Sequence, residues 1–164
     1  MTTDSDQALR SAIEGNRVFK GIGEEHLRIV MANGSVECFA ENDLIVREGQ
    51  KDAGLCLIVT GRMEVKLEER VDENGRQRTL PVRLNTLATG DCFGEYSLID
   101  GQPASAAVRA TEAGTLFRIT GSDFASIMAS DDRLAKCIYR NLLEVLVQRL
   151  RKKDQELDDV LTLA

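Results

Sequence analysis

The first 34 residues carry apolar positions at helical spacing. The positions that recur on apolar faces are Leu9, Ile13, Leu27, Val30 and Met31. Gly21 and Gly23 interrupt this pattern, and glycine is a frequent break between helices. The spacing therefore predicts two short helices within residues 8–33.

From residue 35 to residue 120 the pattern changes to short apolar runs separated by turn-forming residues. The runs are "LIVREG", "GLCLIVTG", "RMEVKLEE", "TLPVRLNTLATGD", "SAAVRATEAG" and "TLFRIT". In "MEVKL", Met63, Val65 and Leu67 alternate with Glu64 and Lys66, as on a strand with one buried face. The segment "DENG", residues 72–75, predicts a hairpin turn. About eight short strands with glycine turns favour a β-sandwich or jelly roll.

Helical spacing returns after residue 120. In "GSDFASIMAS", Ser122 or Asp123 is expected to cap a helix. Phe124, Ile127 and Met128 then form its apolar stripe. A longer helix is predicted from about residue 131 to residue 163.

This long helix has two sets of apolar positions. A heptad seam with one charged interruption, Lys153, is formed by Tyr139, Leu143, Leu146, Leu150, Lys153, Leu157 and Val160. A second set is Ile138, Leu142, Val145 and Val147. One face is expected to cover the β-region while the other meets a second copy, which predicts a homodimer. In the alternative, the seam itself packs on the β-region.

Composition and charge limit the fold and function classes to which this protein could belong. With 164 residues and no linker, one domain is expected, with an N-terminal helical segment (1–34), a β-region (35–120) and C-terminal helices (121–164). The net charge of −6 weakens the case for duplex DNA binding. No apolar run reaches the roughly 18 residues of a membrane helix, and the N-terminus lacks a secretory core. The expected location is the cytoplasm.

The sequence contains few residues of the types that bind metals or catalyse reactions. Cys38, Cys56, Cys92 and Cys137 are far apart, and His26 is the single histidine, so no metal site is expected. The cysteines are predicted to be reduced and mostly buried thiols, with a redox role for Cys92 as the alternative. No Gly-x-Ser-x-Gly motif is present, and we expect neither catalytic residues nor an enzyme.

The segment "FGEYSLIDGQPASAAVRA", residues 93–110, has the features of a phosphate pocket. Gly94 permits a sharp turn and close approach of a ligand. A short helix is expected to start near Tyr96 or Ser97, where unpaired N–H groups favour a phosphate. Glu95 is an acceptor for a ribose hydroxyl. The far wall is expected to contain Pro103, Ser105 and Ala106, with the Ser105 hydroxyl facing phosphate oxygens.

These residues resemble the cyclic nucleotide-binding domain family, and specifically the sensor domain of the catabolite activator and fumarate–nitrate regulator superfamily. The match covers residues 15–150, with Gly49, Gly61 and Gly90 in the family's glycine pattern and residues 90–110 as its phosphate-binding cassette. The resemblance implies a mainly β fold, a β-roll of jelly-roll type with flanking helices and a long C-terminal helix. It implies cyclic AMP or cyclic GMP as ligand, without a cofactor. The implied ligand-binding residues are Phe93, Gly94, Glu95, Tyr96, Ser97, Ala104, Ser105 and Ala106.

One cassette position departs from the family pattern. The residue after the proline is typically an arginine that pairs with the phosphate, and here it is Ala104. A hydrogen bond to a charged group contributes about 1.5–3 kcal/mol, so weaker or altered binding is expected. Glu95 has no evident cationic neighbour, which would give the site a charge of about −1; Arg83, Arg109 and Arg118 are candidate partners. The Tyr96 ring is a candidate for filling part of the nucleotide space.

Two functions follow from these observations. The first is a stand-alone, non-catalytic regulatory module that binds cyclic nucleotide and signals through its C-terminal helices to a downstream protein. The alternative is a ligand-free dimerisation or protein-interaction domain with a vestigial pocket. A transcription factor would carry a helix-turn-helix after the long helix, and the sequence ends at Ala164, so DNA binding is not expected.

Overall fold

The computed structural model describes residues 4–71, 75 and 77–162. The chain begins with helix α1 (Asp4–Gly15), a 3₁₀ turn (Arg17–Phe19) and helix α2 (Glu24–Ala32). The predicted break between two N-terminal helices is confirmed. Asn16 stabilises the junction, because its side chain accepts a hydrogen bond from Val18 N (2.8 Å) and donates one to Gly90 O (2.7 Å).

Eight strands follow within the described residues. They are β1 (Ser35–Phe39), β2 (Leu44–Val46), β3 (Leu55–Leu67), β4 (Arg70–Val71), β5 (Gln77–Arg78), β6 (Val82–Ala88), β7 (Cys92–Phe93) and β8 (Ala107–Ile119). The main antiparallel sheet has the order β1–β8–β3–β6, with β2 paired to β8 and β7 paired to β3. The predicted β-roll with flanking helices is confirmed.

The predicted number of about eight strands is confirmed within the described residues, but the strand boundaries differ from those of the apolar runs. "GLCLIVTG" and "RMEVKLEE" belong to one strand, β3, and "SAAVRATEAG" and "TLFRIT" to another, β8. Gly61 does not end β3; its backbone has φ of +94°, and the register with β8 shifts beside it. Sheet pairing therefore continues through a glycine that resembles a turn signal in the sequence.

The predicted hairpin turn lies largely outside the described residues. Residues 72–74 of "DENG" are not described, and Gly75 is. The strands on either side, β4 and β5, pair antiparallel, with Val71 opposite Gln77.

Alternation along β3 supplies two hydrophobic clusters. Leu55 and Leu57 face the helices, whereas Cys56 and Ile58 face the interior of the roll. Met63 is fully buried in the roll and Val65 packs beside it, while Glu64 and Lys66 form an ion pair on the opposite face. The predicted alternation of "MEVKL" is confirmed.

Three more helices complete the fold: α3 (Glu95–Asp100), α4 (Gly121–Ser130) and α5 (Asp132–Thr162). The predicted cap of α4 was wrong. Thr120, not Ser122 or Asp123, is the N-cap, and its hydroxyl accepts from Asp123 N at 3.1 Å. Phe124, Ile127 and Met128 are buried as predicted.

Helix α5 has the length that the sequence predicts. Asp131 caps it by accepting hydrogen bonds from the backbone N–H of Arg133 and Leu134. Its first half is buried in the helical cluster through Leu134, Ile138, Leu142 and Val145. Most of the heptad seam is exposed, including Tyr139, Leu143, Leu150, Leu157 and Val160, and so is Val147. The prediction of a second, buried face is therefore confirmed for Ile138, Leu142 and Val145, although these residues pack in the helical cluster.

Candidate functional site

The cassette lines a cavity of about 340 Å³ between the β-roll and helix α5. The cavity is large enough for a small ligand, since such pockets span roughly 300–1,000 Å³. All eight residues that the sequence predicts as ligand-binding line it: Phe93, Gly94, Glu95, Tyr96, Ser97, Ala104, Ser105 and Ala106. Their proximity is thus established, whereas their contact with a ligand stays a prediction.

Gly94 forms the turn from β7 into α3. Its φ is +88°, and a Cβ atom would lie 1.9 Å from Gly54 O. Both the left-handed backbone and the close approach require glycine here. The next residue, Glu95, is thereby directed inward at the start of α3.

Glu95 is a buried carboxylate in which one of the two oxygens is hydrogen-bonded. It is 2% exposed. Oε1 accepts a hydrogen bond from Arg149 Nη1, while Oε2 has no hydrogen-bond partner within the described parts of the chain. Burial raises the pKa of Glu95, and the Arg149 guanidinium offsets this increase only in part. An oxygen of this kind is a ready acceptor for a hydroxyl or N–H group of a ligand.

The cationic partner of Glu95 comes from helix α5, which corrects two expectations. The partner is Arg149, which also donates to Cys92 O. Arg118 pairs instead with Glu37 (2.8 Å), and Arg109 donates to Asn42 O (2.8 Å). The expected charge of −1 was also wrong: Glu95, Arg149, Lys152 and Lys153 line the cavity, which gives a formal charge of +2.

The wall around Ala104 is fixed by backbone hydrogen bonds. Gly49 N donates to Ala104 O (2.7 Å), and Ala104 N donates to Gln50 O (2.8 Å). The Ala104 methyl group packs against the roll interior. This wall contributes no charge, and Ser105 beside it is exposed.

Tyr96 is a partly exposed residue of the cavity lining. Its side chain is 51% exposed, so about half of the ring surface faces solvent. Filling of part of the nucleotide space by this ring stays a prediction.

Sequence reasoning missed which residues of helix α5 line this cavity. Leu146, Arg149, Leu150 and Lys153 lie at the i, i+3, i+4 and i+7 positions of one helical face, with Lys152 beside them. The available signal was the basic run "RLRKK", which overlaps the charged interruption of the heptad seam. The β-roll adds apolar walls from Val46, Ala53, Val65, Leu84, Leu87 and Val108, together with Asn85.

The cysteines are not positioned for redox chemistry at the cavity. Cys56 and Cys92 are buried, and burial raises the pKa of each thiol to about 12. A thiolate is the reactive form, so these two are unreactive near neutral pH. Cys38 is exposed and Cys137 half-buried, which corrects the expectation that most of the four are buried. Within the described ranges, no cluster of three or more potential ligands could hold a metal ion, and no helix has the length and apolarity to cross a membrane.

Two proteins are similar to this chain in sequence over most of its length. The cyclic AMP receptor protein of Thermus thermophilus is 27% identical over 146 residues, which cover 89% of this chain and 62% of that protein. The cAMP-dependent protein kinase regulatory subunit of Dictyostelium discoideum is 25% identical over 143 residues, or 87% of this chain and 42% of that protein. This chain thus spans less than two thirds of the length of either relative.

A solved structure and a family model agree with these relatives. A cyclic nucleotide-binding domain from Methylobacillus flagellatus superposes with a TM-score of 0.75 at 20% identity, covering 92% of this chain and 80% of that one. The model of the cyclic nucleotide-binding domain matches residues 36–131, more than half of the chain and including the whole cassette. With the β-roll, the cassette and the long helix in place, the chain belongs to the cyclic nucleotide-binding domain family.

Proposed function

We propose that this chain is a non-catalytic regulatory module that binds a cyclic nucleotide, cyclic AMP or cyclic GMP, in the cavity beside Glu95. The observation that carries this proposal is the unpartnered Oε2 of a buried carboxylate in an open cavity. A ribose hydroxyl would satisfy that oxygen, because an unpaired buried acceptor costs about 1–3 kcal/mol. The proposed setting is the cytoplasm, and the three segments of the chain act as one domain.

Binding of the proposed ligand is coupled to helix α5. Arg149 of α5 contacts Glu95 of α3 and Cys92 O of the β-roll, and Lys153 contacts Leu84 O of the β-roll. A ligand that enters between these groups has different contacts in two positions of the helix, so it shifts the balance between them. The helix would transmit this shift to a downstream protein.

Titration with two nucleotides tests the ligand directly. We expect calorimetry to show binding of cyclic AMP or cyclic GMP, and at least about tenfold weaker binding of the 2′-deoxy form of the same nucleotide, because the Glu95 acceptor loses its donor. Absence of both heat and thermal stabilisation at millimolar ligand would contradict the proposal and favour the ligand-free alternative.

Altered affinity is proposed because Ala104 supplies no charge to the cavity wall. An Ala104→Arg variant is expected to bind the nucleotide about tenfold more tightly or better, since a charge-assisted hydrogen bond is added. Equal affinities of the variant and the wild-type chain would show that this wall does not face the anion.

We also propose a homodimer through the exposed heptad seam of α5. Tyr139, Leu143, Leu157 and Val160 are 42–65% exposed at coiled-coil spacing and do not line the cavity. Sedimentation velocity is expected to show a dimer that a Leu157→Glu variant dissociates. A monomeric wild-type chain at micromolar concentration would exclude this interface.

A further inference from the structure

The charges of the cavity lie almost entirely on one of its walls. We propose that helix α5, through Arg149, Lys152 and Lys153, holds the anionic group of the ligand in place of residue 104 of the cassette. This inference rests on the proposed function and specifies how the same cavity recognises a phosphate. It assigns the anion-binding groups to the element that is also proposed to move.

The opposite wall cannot supply a cation. Among the described cavity-lining residues outside α5, the one charged side chain is the acidic Glu95, and Ala104 is fixed by two backbone hydrogen bonds to Gly49 and Gln50. A singly charged phosphodiester that enters the cavity must be compensated, because isolated charges in a partly desolvated site are unfavourable. The positive groups available for this compensation are those of α5.

Arg149 and Glu95 have complementary roles. Their ion pair neutralises the buried carboxylate, so that it does not repel an anion. The pair occupies only Oε1 and leaves Oε2 for a neutral donor group of the ligand. The cavity thus offers Glu95 Oε2 as an acceptor for a hydroxyl group. Beyond the neutralised Glu95–Arg149 pair, it has two further positive charges.

Those two further charges belong to Lys152 and Lys153. Lys153 Nζ donates to Leu84 O at 3.0 Å, which places its ammonium group against a residue of the cavity wall. Both lysines pair otherwise with Glu156, but these side chains are about half exposed, and exposed ion pairs contribute little. The ammonium groups can therefore turn toward a ligand at small cost.

The experiment that tests this inference compares a ligand that has the phosphate with one that lacks it. Displacement of a fluorescent cyclic AMP analogue by cyclic AMP and by adenosine is measured for the wild-type chain and three variants. These are Lys152→Gln/Lys153→Gln, Arg149→Gln, and Arg151→Gln as the matched control. Arg151 is an exposed arginine on the same helix that does not line the cavity.

We expect the double lysine variant to lose about tenfold or more in affinity for cyclic AMP, while its affinity for adenosine changes less than about twofold. Arg149→Gln should weaken both ligands, because it also leaves Glu95 unpaired. The control should match the wild-type chain for both. The lysines are exposed, so the double variant keeps the test valid even if Arg149→Gln fails to fold.

Two outcomes overturn the inference and differ in what else they overturn. If the wild-type chain binds cyclic AMP and the double lysine variant behaves like Arg151→Gln, the anion is held elsewhere and the proposed function stands. If neither cyclic AMP nor cyclic GMP binds the wild-type chain, the proposed function fails together with this inference.

Discussion

The two halves of helix α5 meet the rest of the molecule in different ways. The first half buries Leu134, Ile138, Leu142 and Val145 in the helical cluster. The second half has no buried side chain between residues 146 and 162, and it contacts the β-roll through Arg149 and Lys153. One helix therefore combines a segment held by apolar packing with a segment held by polar contacts.

The difference indicates which half can respond to a ligand. Apolar burial contributes roughly 25 cal/mol per Å² and is indifferent to small anions. Ion pairs and hydrogen bonds near the surface are weaker, and a ligand with its own charges competes for them. A stable attachment at residues 134–145 thus leaves the cavity-facing segment free to exchange partners.

The largest expected effect is in the packed half. Leu142→Ala removes a fully buried side chain, and we expect a loss of about 2–5 kcal/mol in the free energy of unfolding. Leu161→Ala, which changes the same residue type at a site 67% exposed, should change it by less than about 0.5 kcal/mol. Urea denaturation measures both, and similar losses in the two variants would refute the contrast between the halves.

An intermediate effect is expected at the polar contact. Arg149→Gln leaves the Glu95 carboxylate buried without its cation, so the free energy of unfolding should fall by about 1–3 kcal/mol. Arg151→Gln, an equal change of charge on the exposed side of the helix, is the control. If both variants have the stability of the wild-type chain, the Arg149–Glu95 pair does not hold the second half of α5.

The smallest effect is a dependence on pH. Burial raises the pKa of Glu95 above its ordinary value of 4.5, so the folded chain binds this proton more tightly than the unfolded chain. The free energy of unfolding of the wild-type chain should therefore decrease, relative to Glu95→Gln, as the pH rises from 4.5 through the raised pKa. Denaturation curves at a series of pH values would show this, and a difference that is constant with pH would contradict it.

Much of the fold is predictable from local patterns. The alternation in "MEVKL" and the helical stripe of Phe124, Ile127 and Met128 correspond to burial in the structure. The continuity of β3 through Gly61 is not predictable in this way, because sheet pairing with β8 keeps the strand together. The Thr120 cap was missed since Ser122 and Asp123 have equally suitable side chains, and only the backbone path selects among them.

The candidate site also contains residues that local sequence patterns predict and residues that they do not. All eight cassette residues are close in sequence, and their grouping follows from the motif. Arg149 is 54 positions from Glu95, and its contact depends on how α5 crosses the roll. The departure at Ala104 indicated a missing cation, but no local pattern revealed where another would come from.

Asn141 helps to fix the first half of helix α5 to the N-terminal part of the chain. Its amide donates to Val18 O (2.9 Å) and Lys20 O (2.7 Å), which attaches α5 to the 3₁₀ turn at one level. Because burial holds the helix as far as Val145, a rigid second half that pivots at that level is a lever with one arm of about 6 Å to Arg149 and another of about 26 Å to Thr162. A displacement at the cavity would thus be multiplied about fourfold at the far end of the helix. Sub-ångström changes around a bound phosphate would reach that end at the scale of an atomic diameter.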